Sequence, residues 1–412
     1  METIVLHIDV NSAFLSWTAA YERQQGIDRD IRELVAVIGG NEQNRHGIVL
    51  AKSGPAKKFN IQTGMSLMEA RKLYPKLLVV PPNYFVYVRA SKALKDFLYT
   101  YTPDVDVFSI DECFLRFTDK SREQAIALAY EIKEAVKENF GYTVNVGIST
   151  NKLLAKMAGD FEKPDKCHTC FPEEVRKKMW PLDVGDLFMV GRRTKPKLNN
   201  WGIYTIGDLA NVDYKFISDK LGAYGRMIHA YANGIDVSTF KASPPVKSVG
   251  NSSTIKFDVT DTDTAHAIIL SLVELTAWRL RETNMSCKVV SVSMKDKDFG
   301  YITRQRKLSY YTDCTIDIYR NICTLFDEHW NKRPIRQLGV SVSCLEFVRY
   351  QQLSLFKDRN IQNNEKLDKI IDGIRERYGD TAIIRGVFAN TDLDPVLGGY
   401  PDDEYQGMSS IL

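Results

Sequence analysis

Residues 4–8 are β-branched and loosely alternating, as expected of a buried strand that ends at Asp9. Val35 to Ile38 predicts a second short strand, closed by Gly39-Gly40. Residues 65–74 have helical spacing and stop before Pro75, and 84–101 are helical in period with Pro103 marking their end. Two β-rich runs, 105–110 and 113–117, flank Asp111-Glu112, followed by an amphipathic helix at 121–139 and a strand at 143–149. This order predicts an α+β domain with helices on one side of a sheet. After Pro164 the pattern changes to short helical segments with glycine turns, up to about Phe240. The stretch KASPPVKS (241–248) reads as a linker. Beyond it, residues 254–345 mix alternating strands (Val289 to Met294, Gly339 to Leu345) with two helices, a second α+β unit. The polar stretch 357–412, Asn-rich at its start and rich in Gly, Pro and Asp at its end, predicts partial disorder.

A length of 412 residues fits two to four domains. The 44% apolar and 26% charged shares are those of a soluble globular chain. Net charge is 55 − 52 = +3, too mild to name a partner. Its distribution says more, because Arg176 to Asn200 holds seven Lys/Arg against two Asp, a basic patch suited to a polyanion. The N-terminus reads as a strand, with no signal peptide, and no apolar run has membrane-spanning length. Seven scattered cysteines indicate reduced thiols and a cytoplasmic setting. Cys167 and Cys170 form a lone C-x-x-C around His168, and no second ligand pair lies near to complete a zinc site.

The carboxylates change the picture. Asp9 closes a hydrophobic strand in HIDVNSAF, and Asp111 and Glu112 interrupt two apolar runs in VFSIDECFLRF. An unpaired ionised carboxylate in an apolar setting is costly, and binding a hard divalent cation relieves the cost. Adjacent residues of a regular strand point to opposite faces, so Asp111 and Glu112 serve one cluster only if the chain turns there. Two ions could then clamp the attacking and leaving oxygens of a phosphoryl transfer. The competing reading, ordinary turn or cap acids at strand ends, has equal weight on spacing alone.

HIDVNSAF and SIDECFL resemble the two signature motifs of Y-family DNA polymerases of the DinB/UmuC type, and VGISTNKLLAKMAGDFEKP (146–164) is similar to the family's third block. The resemblance runs from residue 4 to about 356. It implies a multidomain right-hand fold: palm in 1–30 and 76–165, fingers in 31–75, helical thumb in 166–240, linker in 241–246, little finger in 247–346, tail in 347–412. It also implies low-fidelity translesion synthesis from dNTPs on primer-template DNA, in DNA repair and the SOS response. Asp9, Asp111, Glu112 and the Val10 carbonyl would hold two Mg2+ ions. Ser12 and the turn to Phe14 would face the phosphates, Phe14 would be the steric gate against a 2′-hydroxyl, and Lys57 and Lys163 would touch the triphosphate. Gly54 and Lys57, where many DinB-type members have Tyr and Arg, place the chain closer to the UmuC-like branch, which brings possible accessory subunits into view.

VGRRTKPKLNNWGIYTIGDLA (190–210) is similar to a helix-hairpin-helix, with Gly191, Arg192, Arg193 and Lys195 at the DNA backbone and Gly202 and Gly207 punctuating the next turn. Residues 352–356, QLSLF, resemble the peptide that docks bacterial polymerases on the sliding clamp, with Gln352, Leu353, Leu355 and Phe356 as contacts. Two rivals stand beside this reading. A different two-metal nuclease or phosphohydrolase would not need Phe14, Lys57 and Lys163 together. A non-catalytic DNA- or clamp-binding protein would have lost at least one of the three acids.

Overall fold

The computed structural model describes residues 2–41, 45, 47–240, 245–347, 359–389, 391 and 393–395, with only the backbone of 359–362. The chain divides into two compact units, residues 1–40 with 48–243 and residues 41–47 with 244–412.

The first unit begins with β1 (Ile4–Val10), α1 (Ala13–Gln24), β2 (Ala36–Gly39) and β3 (Val49–Lys52). Next come α2 (Gly54–Lys57), α3 (Leu67–Leu73), β4 (Leu78–Val80), α4 (Tyr84–Tyr99), β5 (Val105–Val107) and β6 (Glu112–Phe117). It continues through α5 (Arg122–Phe140), β7 (Val144–Ser149), α6 (Lys152–Asp160) and β8 (Cys167–Thr169). Its last helices are α7 (Val175–Lys178), α8 (Lys195–Asn200), α9 (Ile206–Asn211) and α10 (Tyr214–Ala232).

A five-stranded sheet in the order β5-β6-β1-β7-β8 is its centre, with β1 antiparallel to both neighbours. Period-two alternation sends Ile4, Leu6, Ile8 and Val10 to one face, where they share a core with Trp17 of α1, Leu94 and Leu98 of α4, and Ala129, Ile132 and Val136 of α5. Each fully buried Ile or Leu contributes about 1.5–3 kcal/mol. Helix α5 starts and stops where its ends are satisfied: Ser121 and Gln124 form a capping box, and Gly141 closes it at φ 73°. Val5, His7 and Asp9 point to the opposite face, and α6 packs there. The expectation of helices on one side is therefore corrected. Gly147, opposite His7 in the ladder, has no side chain, so α6 can lie directly on β7. Asn145 Nδ2 holds the helix end by donating to the Gly159 carbonyl at 2.9 Å.

A small sheet, β3-β2-β4, stands apart with α2 and α3 around Val37, Val49, Ile61, Leu67 and Leu77. It takes Leu78–Val80 by parallel pairing with β2, beyond the boundary expected at residue 75. The segment from α7 to α10 packs Met179, Leu198, Ile206, Leu209, Ile217 and Ile228 into a core that it shares with Leu153, Leu154 and Met157 of α6.

The second unit contains β9 (Ser248–Val259), α11 (Thr262–Glu282), β10 (Ser286–Asp296), β11 (Tyr301–Thr312), α12 (Thr315–His329), β12 (Ile335–Glu346) and α13 (Arg359–Tyr378). Its antiparallel sheet runs β11-β10-β12-β9, and Val290, Val292, Val340 and Val342 pack with Ile268 and Leu272 of α11 and Ile322 and Phe326 of α12. The disorder expected after 357 is corrected for residues 359–389. Helix α13 docks through charge. Arg375 pairs with Glu274 at 2.7 Å, both nearly fully buried, and Arg281 grips Asp372 at 2.6 and 2.8 Å. Phe388 then packs against Ala267 and Leu270. A helix that buries its charged face lacks the apolar stripe by which a docked helix is recognised in sequence. Among the described residues, no helix is long and apolar enough to cross a membrane.

Candidate active site

Asp9 and Glu112 are cross-strand partners at the ends of β1 and β6, so their side chains share the face that α6 covers. The chain turns at 108–111, and Val10 N–H donates to the Asp111 carbonyl at 3.1 Å, which brings the third acid alongside. Ser109 sets this turn. Its Oγ accepts from the Asp111 and Glu112 N–H groups (3.2 and 3.0 Å) and donates to Asp111 Oδ1 at 2.6 Å. The reversal that Asp111 and Glu112 needed is thus present, although β5 ends at Val107, short of the expected 110.

Each carboxylate has a local partner. Lys163 pairs with Asp9 and also with Asp160 at 2.7 Å. Lys156 Nζ lies 2.8 Å from Glu112 Oε2, and His7 Nε2 stands 3.6 Å from the same oxygen. Burial pushes the Asp9 carboxyl above its ordinary range, with Lys163 opposing and Glu112 reinforcing the shift. Burial also raises Asp111, opposed by the Ser109 hydrogen bond and reinforced by Glu112. Burial would raise Glu112 too, but the His7 ring and the Lys156 ammonium more than offset it and hold it at about 2.

Among the described residues, no three His, Cys, Asp or Glu side chains already enclose a metal position. The donors nevertheless fit a hard divalent cation. They are carboxylate oxygens, and burial together with the Glu112 charge disfavours the ionised forms of Asp9 and Asp111, a cost that a cation there would reverse.

Ser12 precedes α1 in a left-handed conformation, φ 50°. Phe14 opens that helix half-buried, its ring stacked on Tyr87 at 4.4 Å and 5° and edge-on to Tyr84 at 5.9 Å. The Tyr87 hydroxyl is 3.0 Å from Thr18 Oγ1, which donates to the Phe14 carbonyl at 2.7 Å, so the ring's backing is itself fixed. Lys57 is exposed at the end of α2, on the small sheet's side of the unit. Burial raises the Cys167 and Cys170 thiols to about 11 and about 12, so neither is a thiolate at neutral pH.

Gly191, Arg192 and Arg193 form an exposed turn before α8, while Lys195 is engaged with Asp183 at 2.9 Å. Helix α8, a turn at Gly202 (φ 77°) and α9 give the helix-turn-helix order. Gly207 does not punctuate that turn; it lies inside α9, where a Cβ would come within 3.1 Å of Trp180 Cβ. The clamp-like residues Gln352, Leu353, Leu355 and Phe356 lie outside the described residues, as do 241–244 of the linker.

Lys156, His7 and Tyr87 were not singled out from the sequence. Lys152, Lys156 and Asp160 share one helical stripe at i, i+4, i+8, which is a legible signal for Lys156. A fully buried His7 two residues before Asp9 gave none.

A sheet with three acids at its strand ends, a small second sheet, a helical segment and a separate four-stranded α+β unit define a right-hand polymerase. Solved structures agree on the fold. A Y-family DNA polymerase chimera of Dbh and Dpo4 matches at TM-score 0.71 and 22% identity, over 83% of this chain and 99% of that one. DinB from Sulfolobus solfataricus matches at 0.53 and 21%, over 82% and 98%. The impB/mucB/samB family model matches residues 8–160, its C-terminal domain 246–355, and the family's HHH motif 172–203. DNA polymerase IV of Clostridium acetobutylicum is 45% identical, covering 94% of this chain and 98% of that protein. DNA polymerase IV 1 of Bacillus subtilis is 32% identical, over 93% and 92%. The chain belongs to the impB/mucB/samB family, the Y-family DNA polymerases of translesion synthesis. These relatives are named DNA polymerase IV, so the lean towards the UmuC-like branch finds no support among them.

Proposed function

We propose that this Y-family polymerase extends a primer 3′-hydroxyl with deoxynucleotides through two Mg2+ ions held by Asp9, Asp111, Glu112 and the Val10 carbonyl. The observation that supports this most is the cross-strand pairing of Asp9 with Glu112 on one sheet face, with Asp111 tied to the end of β1 in the adjoining turn. When bound, the ions would lower the pKa of the attacking hydroxyl and neutralise charge on the triphosphate. The protein's own groups do the rest. Ser12 and the backbone up to Phe14 orient the phosphates, Lys57 and Lys163 balance their charge, and the Phe14 ring leaves no room for a ribose 2′-hydroxyl. The central sheet would be the palm, the small sheet the fingers, α7 to α10 the thumb and the second unit the little finger. The exposed turn Gly191–Arg193, with Lys195, would follow the DNA backbone without reading bases.

The test is primer extension with magnesium on an undamaged and on an abasic template. Asp111→Ala abolishes synthesis on both; persistent extension shows that the ligand assignment is wrong. Residues 352–356 would dock on a bacterial sliding clamp, in keeping with cytoplasmic action in DNA repair and the SOS response. Deleting them spares distributive synthesis and removes stimulation by the clamp, and equal stimulation with and without them rules the peptide out. An accessory-subunit requirement is tested by whether the purified chain extends a primer alone.

A further inference from the structure

Lys156 is held more tightly than a surface lysine. Its side chain on α6 is 12% exposed, and its ammonium lies over the rings of Phe108 (5.2 Å) and Phe188 (5.5 Å). Phe108 belongs to the turn that carries Asp111, and Phe188 precedes the Gly191 turn, so the lysine is seated by both segments. Cation–π contacts of this kind gain strength as the cation is desolvated. The ammonium's strong hydrogen bond goes to Glu112 Oε2, the oxygen that His7 also faces.

We infer that Lys156 is a positioning residue for Glu112: it fixes Oε2 and presents Oε1 to the metal site, while its charge opposes cation entry. The inference rests on Glu112 being a metal ligand, as proposed above. Groups behind a metal's ligands orient them, and their loss typically costs roughly 10–100-fold in affinity or activity. Here the partner is itself a cation, so the two effects separate. Removing it slows the chemical step because Glu112 loses its orientation. It also strengthens cation binding, because a competing positive charge has gone.

The experiment compares wild type with Lys156→Met, Lys156→Arg, Phe188→Leu and Glu112→Gln. Binding of Mn2+ is read by electron paramagnetic resonance on full-length protein bound to a 3′-dideoxy primer-template, and kcat and KM are read by primer extension. Lys156→Met lowers kcat roughly 10–100-fold with KM for dNTP little changed, and it binds Mn2+ more tightly. Lys156→Arg, which keeps a charge-assisted hydrogen bond, restores both readouts towards wild type. Phe188→Leu leaves every charge in place and shows the kcat loss alone, at smaller amplitude, which preserves a test of the seating if Lys156→Met does not fold. Weaker or unchanged Mn2+ binding in Lys156→Met, or a kcat within about twofold of wild type, overturns the inference. If Glu112→Gln leaves Mn2+ binding and extension intact, the ligand reading itself fails; if Glu112→Gln is inactive while Lys156→Met is silent, only the role of Lys156 falls.

Discussion

Gly147→Ala tests whether the packing of α6 on the sheet sets the active site. A Cβ at this position would stand 1.8 Å from the Ala155 carbonyl oxygen and 2.4 Å from the Gly159 nitrogen. Ordinary contact begins near 3.4 Å, so the backbone of α6 must retreat by about 3.4 − 1.8 = 1.6 Å. Neither contact is a flexible side-chain end that could turn away. Lys156 rides on this helix, and a retreat of that size along its bond to Glu112 would open 2.8 Å to about 4.4 Å, past hydrogen-bond reach. Overpacking costs about 1–3 kcal/mol, occasionally more, which lowers the melting temperature by roughly 2–12 °C for a unit of this size. A displacement near 1 Å at positioned groups costs on the order of 10²-fold in rate. The assay is primer extension well below the variant's melting point, beside a thermal unfolding curve. Gly373→Ala, which meets nothing within 4 Å in α13, is the control and should extend primers as wild type does. If Gly147→Ala melts normally and extends within about twofold of wild type, α6 does not control the site through this contact.

Three further outcomes are expected. Phe14→Ala removes the ring that Tyr87 backs and should lower discrimination against ribonucleotides by roughly 10–200-fold, the value of a small apolar pocket wall, read as the ratio of kcat/KM for dNTP and rNTP; unchanged sugar selectivity would count against the gate. Glu274→Gln leaves the buried Arg375 without a charge partner and Arg385 with only its longer pair to Asp368 at 3.4 Å, and should destabilise α13 docking by about 3–5 kcal/mol, or by the whole docking energy if that is smaller; hydrogen exchange across 363–388 would show it, and undiminished protection would refute it. Asp165 lies below its usual range: burial would raise it, but hydrogen bonds from Lys133 and Lys137 prevail. The folded state thus binds this proton less tightly than the unfolded chain, so its contribution is present above the ordinary carboxylate range and lost as pH falls through the lowered value. Urea titrations of wild type and Asp165→Asn should converge as acid is added, and a gap constant from neutral pH to pH ~3 would exclude this role.

The elements legible in the sequence were those whose burial leaves a period. Strand β1 shows four apolar residues and a histidine and then an acid, and that break locates Asp9 without any structure. Beta strands 10 and 12 could be read for the same reason: Val290 and Val292, and Val340 and Val342, alternate into one core. Helix α13 could not. Its buried face carries Asp368, Asp372 and Arg375, so the segment reads as solvated chain, and its order follows from partners some hundred positions away on α11.

The site divides along the same line. An ionisable group in an apolar run is visible in one dimension, because the cost of placing it there does not depend on which neighbours arrive. What relieves that cost does depend on them. The ends of β1 and β6 meet through antiparallel register, and the lysines that face Asp9 and Glu112 come from a helix and its following loop about 150 and 44 residues further along the chain. They reach the carboxylates because Gly147 lets α6 lie flat on β7. Before the helix is placed, Lys156 and Lys163 are two members of a lysine-rich block, equally suited to solvent, to triphosphate or to an internal partner. After it is placed, they differ. Lys163, shared with Asp160 near the surface, retains the exposure needed to meet a triphosphate, whereas Lys156, walled in by two phenylalanines, can serve only the carboxylate beside it.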